Sequence, residues 1–196
     1  MNRAIVLVMV AVTAVTYLSC IRKCDKESKM ISFATPWTSS FKTDSVYPHH
    51  LVNREGNHLL ILNKTAWTYF TCADPEGVLQ RAREQGVNVL RVCLEGTPYF
   101  EVLGMDGWPW GGTRENPDFS NYNEPYWDEV ERRVRMAGEY GIGIDLNIYF
   151  TLRKEAEKLP FQQNFWDYTI LRLGNYANIL CWEIMNRSEE RRVWKE

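Results

Sequence analysis

The sequence has little of what announces a specialised chemistry. It holds 3 His and 5 Cys among 196 residues, and two of the cysteines, Cys20 and Cys24, sit in a leader-like segment. The remaining Cys72, Cys93 and Cys181 lack metal-ligand spacing, and an odd number gives no disulfide framework. There is no Gly-rich phosphate loop and no Gly-x-Ser-x-Gly elbow, the commonest nucleotide and serine-esterase signatures. Charge of one sign is also missing: 23 Lys and Arg stand against 25 Asp and Glu, a net of −2. With no Lys/Arg run interleaved with aromatics, nucleic acid is excluded as a partner. Neither a cofactor nor a metal is predicted.

Aromatic residues are plentiful. Eight Trp, 10 Tyr and 8 Phe are more aromatic surface than a core of this size requires. Such a surplus favours a cleft in which rings stack on flat apolar ligand faces, as sugars present.

The two ends read as something other than fold. Met1 to Ser19 has the layout of a signal peptide, an apolar run from Ala4 to Leu18 behind Asn2 and Arg3 that is too short for a bilayer span. Ser19 before Cys20 resembles a bacterial lipobox, so Cys20 is the predicted lipidation site, with plain secretion and an uncleaved anchor as the alternatives. Residues 20–43 are polar and irregular and are read as a linker. The last ten residues, 187–196, have no apolar periodicity. Apart from Trp194 they resemble the translation of a common sequencing-library adapter, and they are predicted to be a non-native tail.

Between these ends the pattern alternates. His50–Asn53 and Leu59–Leu62 flank a Gly-containing turn and predict a β-hairpin, the second run continuing into Thr65-Ala66-Trp67. Asp74-Pro75-Glu76 supplies a cap, a first-turn proline and an acid for a helix closed by Gly86, with Val78, Leu79 and Ala82 inward. A buried strand follows over 87–94, then a long Gly-, Pro- and Trp-rich loop over 95–123, a length usually associated with function. Asn123-Glu124-Pro125 opens a second helix and 142–149 the next strand; Pro160 opens a third helix and 179–185 the last strand. This α/β order predicts the N-terminal half of a (β/α)8 TIM barrel preceded by a β-hairpin, since a whole barrel needs about 250 residues. An open half would expose two unpaired strand edges, so poor solubility is expected. The predicted organisation is signal peptide 1–19, linker 20–43, partial barrel 44–186 and tail 187–196.

In such barrels the chemistry lies at the C-terminal ends of the strands. There the sequence resembles a known group. Asn178-Ile179-Leu180-Cys181-Trp182-Glu183-Ile184-Met185-Asn186 resembles the fourth strand of clan A glycoside hydrolases, the cellulase and mannanase-like barrels. Val89-Leu90-Arg91-Val92 is similar to their second strand. Asn63-Lys64-Thr65-Ala66-Trp67, Gln85-Gly86-Val87-Asn88 and Tyr126 to Arg133 resemble the bacterial apiosidase-like group, with Lys64 in place of its usual acid. The resemblance covers 50–186.

It implies a retaining glycosidase, in which an acid and a nucleophile stand about 5 to 5.5 Å apart. Asn186 then binds the sugar hydroxyl beside the reacting carbon, and Arg91 holds the nucleophilic carboxylate; an interior ion pair is the other reading of Arg91. The catalytic Glu is expected at 187, where this chain has Arg187, and the nucleophile's strand is not in the sequence. Glu183 faces the same way but lies about 13 Å deeper, where an acid pairs with interior basic groups. Trp67, Trp108 and Trp110 are candidate sugar platforms, with core or lid packing as the alternative; Asn147 and Tyr149 are candidate subsite residues. Cys93 and Cys181 are expected in the core, and His49, His50 and His58 at the surface. The expected partners are a poly- or oligosaccharide and, through a lipid anchor only, a membrane of the bacterial envelope. The chain as encoded is expected to be inactive, and a non-catalytic carbohydrate-binding lipoprotein is the competing reading.

Overall fold

The computed structural model describes residues 41–53, 56–96, 105–149 and 159–185. The leader, Cys20, nearly all of the linker, Asn186 and the tail lie outside the described residues.

Local chemistry sets the helices. The Asp74 carboxylate accepts from the Gly77 N–H at 2.8 Å, and α1 runs Pro75–Glu84 behind it. Asn123 caps α2, Glu124–Glu139, by accepting from the Tyr126 N–H. Gly86 (φ 72°) and Gly141 (φ 70°) follow these helices in the left-handed conformation that a side chain resists. The third helix, α3, spans Leu159–Leu173. Arg172 ties it to α2 through Glu124 at 2.6 Å, Asp128 at 2.7 Å and a contact with Glu131.

Nine strands are described. Lys42–Thr43 (β1), Leu51–Val52 (β2) and His58–Leu59 (β3) form a small antiparallel sheet in that order. The expected linker is therefore corrected at its end: Lys42 and Thr43 pair with Val52 and Leu51. The run after β3 does not continue as one strand. The Asn88 side chain accepts from the Leu62 N–H (2.8 Å) and donates to the Leu60 carbonyl (2.7 Å), which takes those groups out of any ladder.

Asn63–Thr65 (β4) then opens a four-stranded parallel sheet, with Val89–Cys93 (β5), Gly143–Tyr149 (β8) and Ile179–Met185 (β9), in the order β4-β5-β8-β9. The long loop is corrected as well. It contains an antiparallel pair, Trp110–Gly112 (β6) and Pro117–Tyr122 (β7).

The strand period of two gives the parallel sheet two unlike faces. Leu90, Val92 and Leu94 of the β5 segment and Ile144, Leu146 and Ile148 of β8 are buried in the core that includes Leu79, Val130, Val134 and Phe165 of the helices. Each such aliphatic side chain contributes about 1.5–3 kcal/mol when fully buried. Covering one side with helices is what parallel crossovers require. The opposite face is polar.

Candidate functional site

Strand pairing assembles the polar face in layers. Thr65, Arg91, Asp145 and Cys181 are successive register partners across the sheet, and Cys93, Asn147 and Glu183 form the next layer. Arg91 leaves its own layer to reach Glu183, two strands away. Its Nε donates to Oε2 at 2.7 Å and its Nη2 to Oε1, a bidentate pair in which both side chains are about one quarter exposed. Hydrogen bonding to Glu183 raises the Arg91 pKa further, against the effect of burial. The guanidinium lies 4.6 Å from the centre of the Trp67 ring. Asp145 accepts from the Asn63 amide at 3.0 Å.

Trp67 is presented by the segment after β4, which Arg133 fixes from α2. The Arg133 Nη1 donates to the carbonyls of Tyr69 (2.6 Å) and Cys72 (2.9 Å), its Nε donates to Glu129 (2.6 Å), and the Tyr69 hydroxyl donates back to the Arg133 carbonyl (2.8 Å). A second clasp closes the segment after β5. The Gly96 N–H donates to the Gly107 carbonyl at 2.6 Å, and a Cβ on Gly96 would stand 2.4 Å from the Gly107 Cα, so neither position has room for a side chain. Arg114 donates to the Gly96 carbonyl (2.6 Å), pairs with Asp106 (3.1 Å) and lies 5.0 Å from the Trp108 ring centre.

The structure thus brings Arg91, Trp67 and Glu183 together on the polar face, Glu183 pairing with Arg91. Other candidates go elsewhere. Trp108 and Trp110 are 2% and 0% exposed, packed against each other (4.9 Å between ring centres) and, for Trp110, against Phe165 (4.6 Å). With no face open they are corrected from sugar platforms to core residues. Asn147 and Tyr149 share the polar face's parity but are fully buried, the Asn147 amide oxygen accepting from the Cys93 thiol and the Tyr149 ring lying 5.4 Å from Phe165. Neither lines an open subsite. Burial raises the Tyr149 pKa, which keeps the phenol protonated.

Cys93 is buried as expected, whereas Cys181 is exposed, because its place in β9 turns it to the polar face. Burial pushes the Cys93 thiol well up, and desolvation followed by the Asp145 carboxylate raises Cys181, so neither is primed as a nucleophile. His49, His50 and His58 are exposed. Lys64 turns away from the polar face and donates to Gln85, the C-cap of α1, at 2.7 Å, bordering a cavity of about 210 Å³ between β4 and α1. Among the described residues no group of three or more His, Cys, Asp or Glu could hold a metal ion, and no helix is long and apolar enough to cross a membrane.

Residues 47–194 match the model of the apiosidase-like catalytic domain. The chain belongs to this family. Its fold is a mixed α/β one with a parallel sheet, and solved glycoside hydrolases share it. One such structure, described as a glycoside hydrolase, is 20% identical with a TM-score of 0.62, over 78% of this chain and 35% of that one. A glycoside hydrolase family 5 protein from Bacteroides vulgatus is 18% identical with a TM-score of 0.61, over 78% and 34%. A family 5 mannosidase from Rhizomucor miehei is 15% identical with a TM-score of 0.52, over 78% and 50%. This member of the apiosidase-like family spans about a third of the length of the first two. No curated protein matches it.

The Arg91–Glu183 pair was the residue-level signal most open to reading in advance: an acid on the fourth parallel strand and an Arg on the second, with parity for the same face. The β6–β7 pair left a weaker trace, in Gly111-Gly112 and Asn116-Pro117 as turn formers on either side of Thr113 to Glu115.

Proposed function

We propose that the parallel sheet is the first half of a (β/α)8 barrel and that the protein is part of a retaining glycoside hydrolase acting on oligo- or polysaccharides. The observation that carries this reading is the placement of Arg91 on the polar face of a parallel sheet in a chain of the apiosidase-like family. In this reading Arg91 orients the nucleophilic carboxylate, Asn186 binds the sugar hydroxyl beside the reacting carbon, and Trp67 contributes ring surface. The general acid belongs at position 187, which is Arg187 in this sequence. Glu183 does not replace it, since both its oxygens accept from Arg91. The chain as written is therefore a non-hydrolysing form.

Resequencing the gene across codons 186 and 187 tests the assignment. Glu at 187, followed by further βα units, is the expected result. Confirmation of Arg187 would overturn the hydrolase reading and favour a carbohydrate-binding envelope protein, the alternative that Arg187 itself supports. Hydrolysis of aryl glycosides by the purified chain, abolished by Glu183→Gln, would show that the non-hydrolysing assignment is wrong. We further propose that residues 1–19 are a signal peptide and that Cys20 carries a lipid anchoring the protein to the bacterial envelope. Metabolic labelling with a fatty acid, lost in Cys20→Ala, checks this; an unlabelled, secreted product would refute it.

A further inference from the structure

We infer that Glu183 is a positioning residue for Arg91, holding the guanidinium in one orientation before any ligand or carboxylate meets it. This rests on the reading of Arg91 as a site residue and adds how that residue is kept ready. Three observations carry it. First, the guanidinium is restrained on two sides: Nε and Nη2 are engaged along one edge by Glu183, and one face lies 4.6 Å from the Trp67 ring centre. Edge contact fixes rotation in the plane and ring contact fixes the plane.

Second, a nearer acceptor is passed over. Asp145 is the register partner of Arg91 on the adjacent strand, yet the hydrogen bonds go to Glu183, one strand further. Asp145 accepts from the Asn63 amide at 3.0 Å through one oxygen, while its other, buried oxygen has no hydrogen-bond partner among the described residues and is the fallback acceptor that Arg91 does not use. Third, the pairing with Glu183 uses Nε and Nη2 and leaves Nη1, which carries two N–H donors, outside the clamp. A donor fixed in advance costs no reorganisation when its acceptor arrives, which is how preorganised sites gain their effect. Without Glu183, a flexible Arg side chain carrying the same charge would fold onto Asp145.

The test uses the full chain labelled with ¹³C and ¹⁵N, and it needs no sugar. The Arg91 Nε–Hε resonance, assigned by its disappearance in Arg91→Lys, is expected to show a through-bond coupling to the Glu183 carboxyl carbon in the unsubstituted protein. In Glu183→Gln, Hε exchange with solvent is expected to rise about fivefold, the size appropriate to a partly exposed charged pair. Asp145→Asn should leave that exchange unchanged, and the double variant should exceed Glu183→Gln alone, because the fallback acceptor is gone. Absence of the coupling would overturn the inference without recourse to a variant that has to fold. Equal release by Asp145→Asn would overturn it too. Both results are independent of the glycosidase reading, whose failure would appear at codon 187.

Discussion

Replacing Arg133 by Met should destabilise the protein by about 3 kcal/mol and loosen the segment that carries Trp67. Arg133 is 6% exposed and donates to the carbonyls of Tyr69 and Cys72, to the Glu129 carboxylate and, at 3.6 Å, to the Cys72 sulfur. Met fills much of the aliphatic volume and supplies no donor. Two main-chain carbonyls then lose the guanidinium in a region closed by Tyr69 and Phe70, which are 1% and 0% exposed. An acceptor stranded in this way costs about 1–3 kcal/mol, and the partly exposed Cys72 falls at the low end. The Glu129 contact is shared with Arg132 and adds little. In a domain of this size about 3 kcal/mol corresponds to a melting point lower by about 10 °C. Arg133→Lys, whose single ammonium meets one carbonyl in place of two, should lose about half as much. Urea unfolding followed by tryptophan fluorescence measures both variants, and hydrogen exchange at the amides of 68–72 reports the local effect. A Met variant within about 0.5 kcal/mol of the parent, or a Lys variant as damaged as the Met one, would refute this account.

Ala at Gly96 or Gly107 should cost about 2 kcal/mol or more in the same unfolding assay, because each Cβ meets the other glycine's main chain. A loss below about 0.5 kcal/mol would show that the crossing has room. The Glu129 carboxyl is held at about 2, chiefly by the hydrogen bond from Arg132, with burial opposing and Arg133 adding to it. Its ordinary value is 4.5, so the native state binds the proton less tightly than the unfolded chain does. The stabilisation is therefore complete above pH 4.5 and is lost as the pH falls toward 2; after discounting for solvent it is about 1 kcal/mol, and Glu129→Gln should flatten that acid limb. Trp110→Ala should lose about 3–5 kcal/mol as a core deletion, whereas Trp67→Ala should lose about 1 kcal/mol, the size of its cation–π contact. Equal losses would undo the assignment of one ring to the core and the other to the polar face.

Most of the architecture was legible because its determinants are local. Asp74 with Pro75, and Asn123 with Pro125, start helices wherever they occur, and the glycines that follow stop them without reference to distant parts of the chain. The strands at 143–149 and 179–185 were equally plain, as short runs dominated by apolar residues in which Asp145, Asn147 and Glu183 share one parity. What escaped depends on neighbours. Trp108 and Trp110 lie in a Gly- and Pro-rich stretch that resembles an exposed loop until Phe119 and Phe165 close over them. Tyr149 and Asn147 lie at the end of a strand, where subsite residues are expected, but no periodicity reports that Phe165 packs on one and Cys93 bonds the other in a fully buried setting. Cys181 went the other way, an apolar-looking residue in an apolar run whose parity exposes it. Arg91 illustrates the boundary between the two cases. That it forms an ion pair with an acid was among the expected readings, while the choice of Glu183 over Asp145 is a competition that spacing does not decide.

The glycine crossing at positions 96 and 107 has a consequence for how this protein can change over generations. The Gly96 N–H, the Gly107 carbonyl and Arg114 meet where the two main chains cross, and a Cβ on either glycine would enter the other's backbone. A larger residue at one position cannot be relieved by a smaller one at the other, since glycine is already the smallest. The crossing can change only if one main chain moves away from the other, and β5 and the Trp108 cluster on either side would have to move with it. Selection therefore acts on the two glycines as a unit.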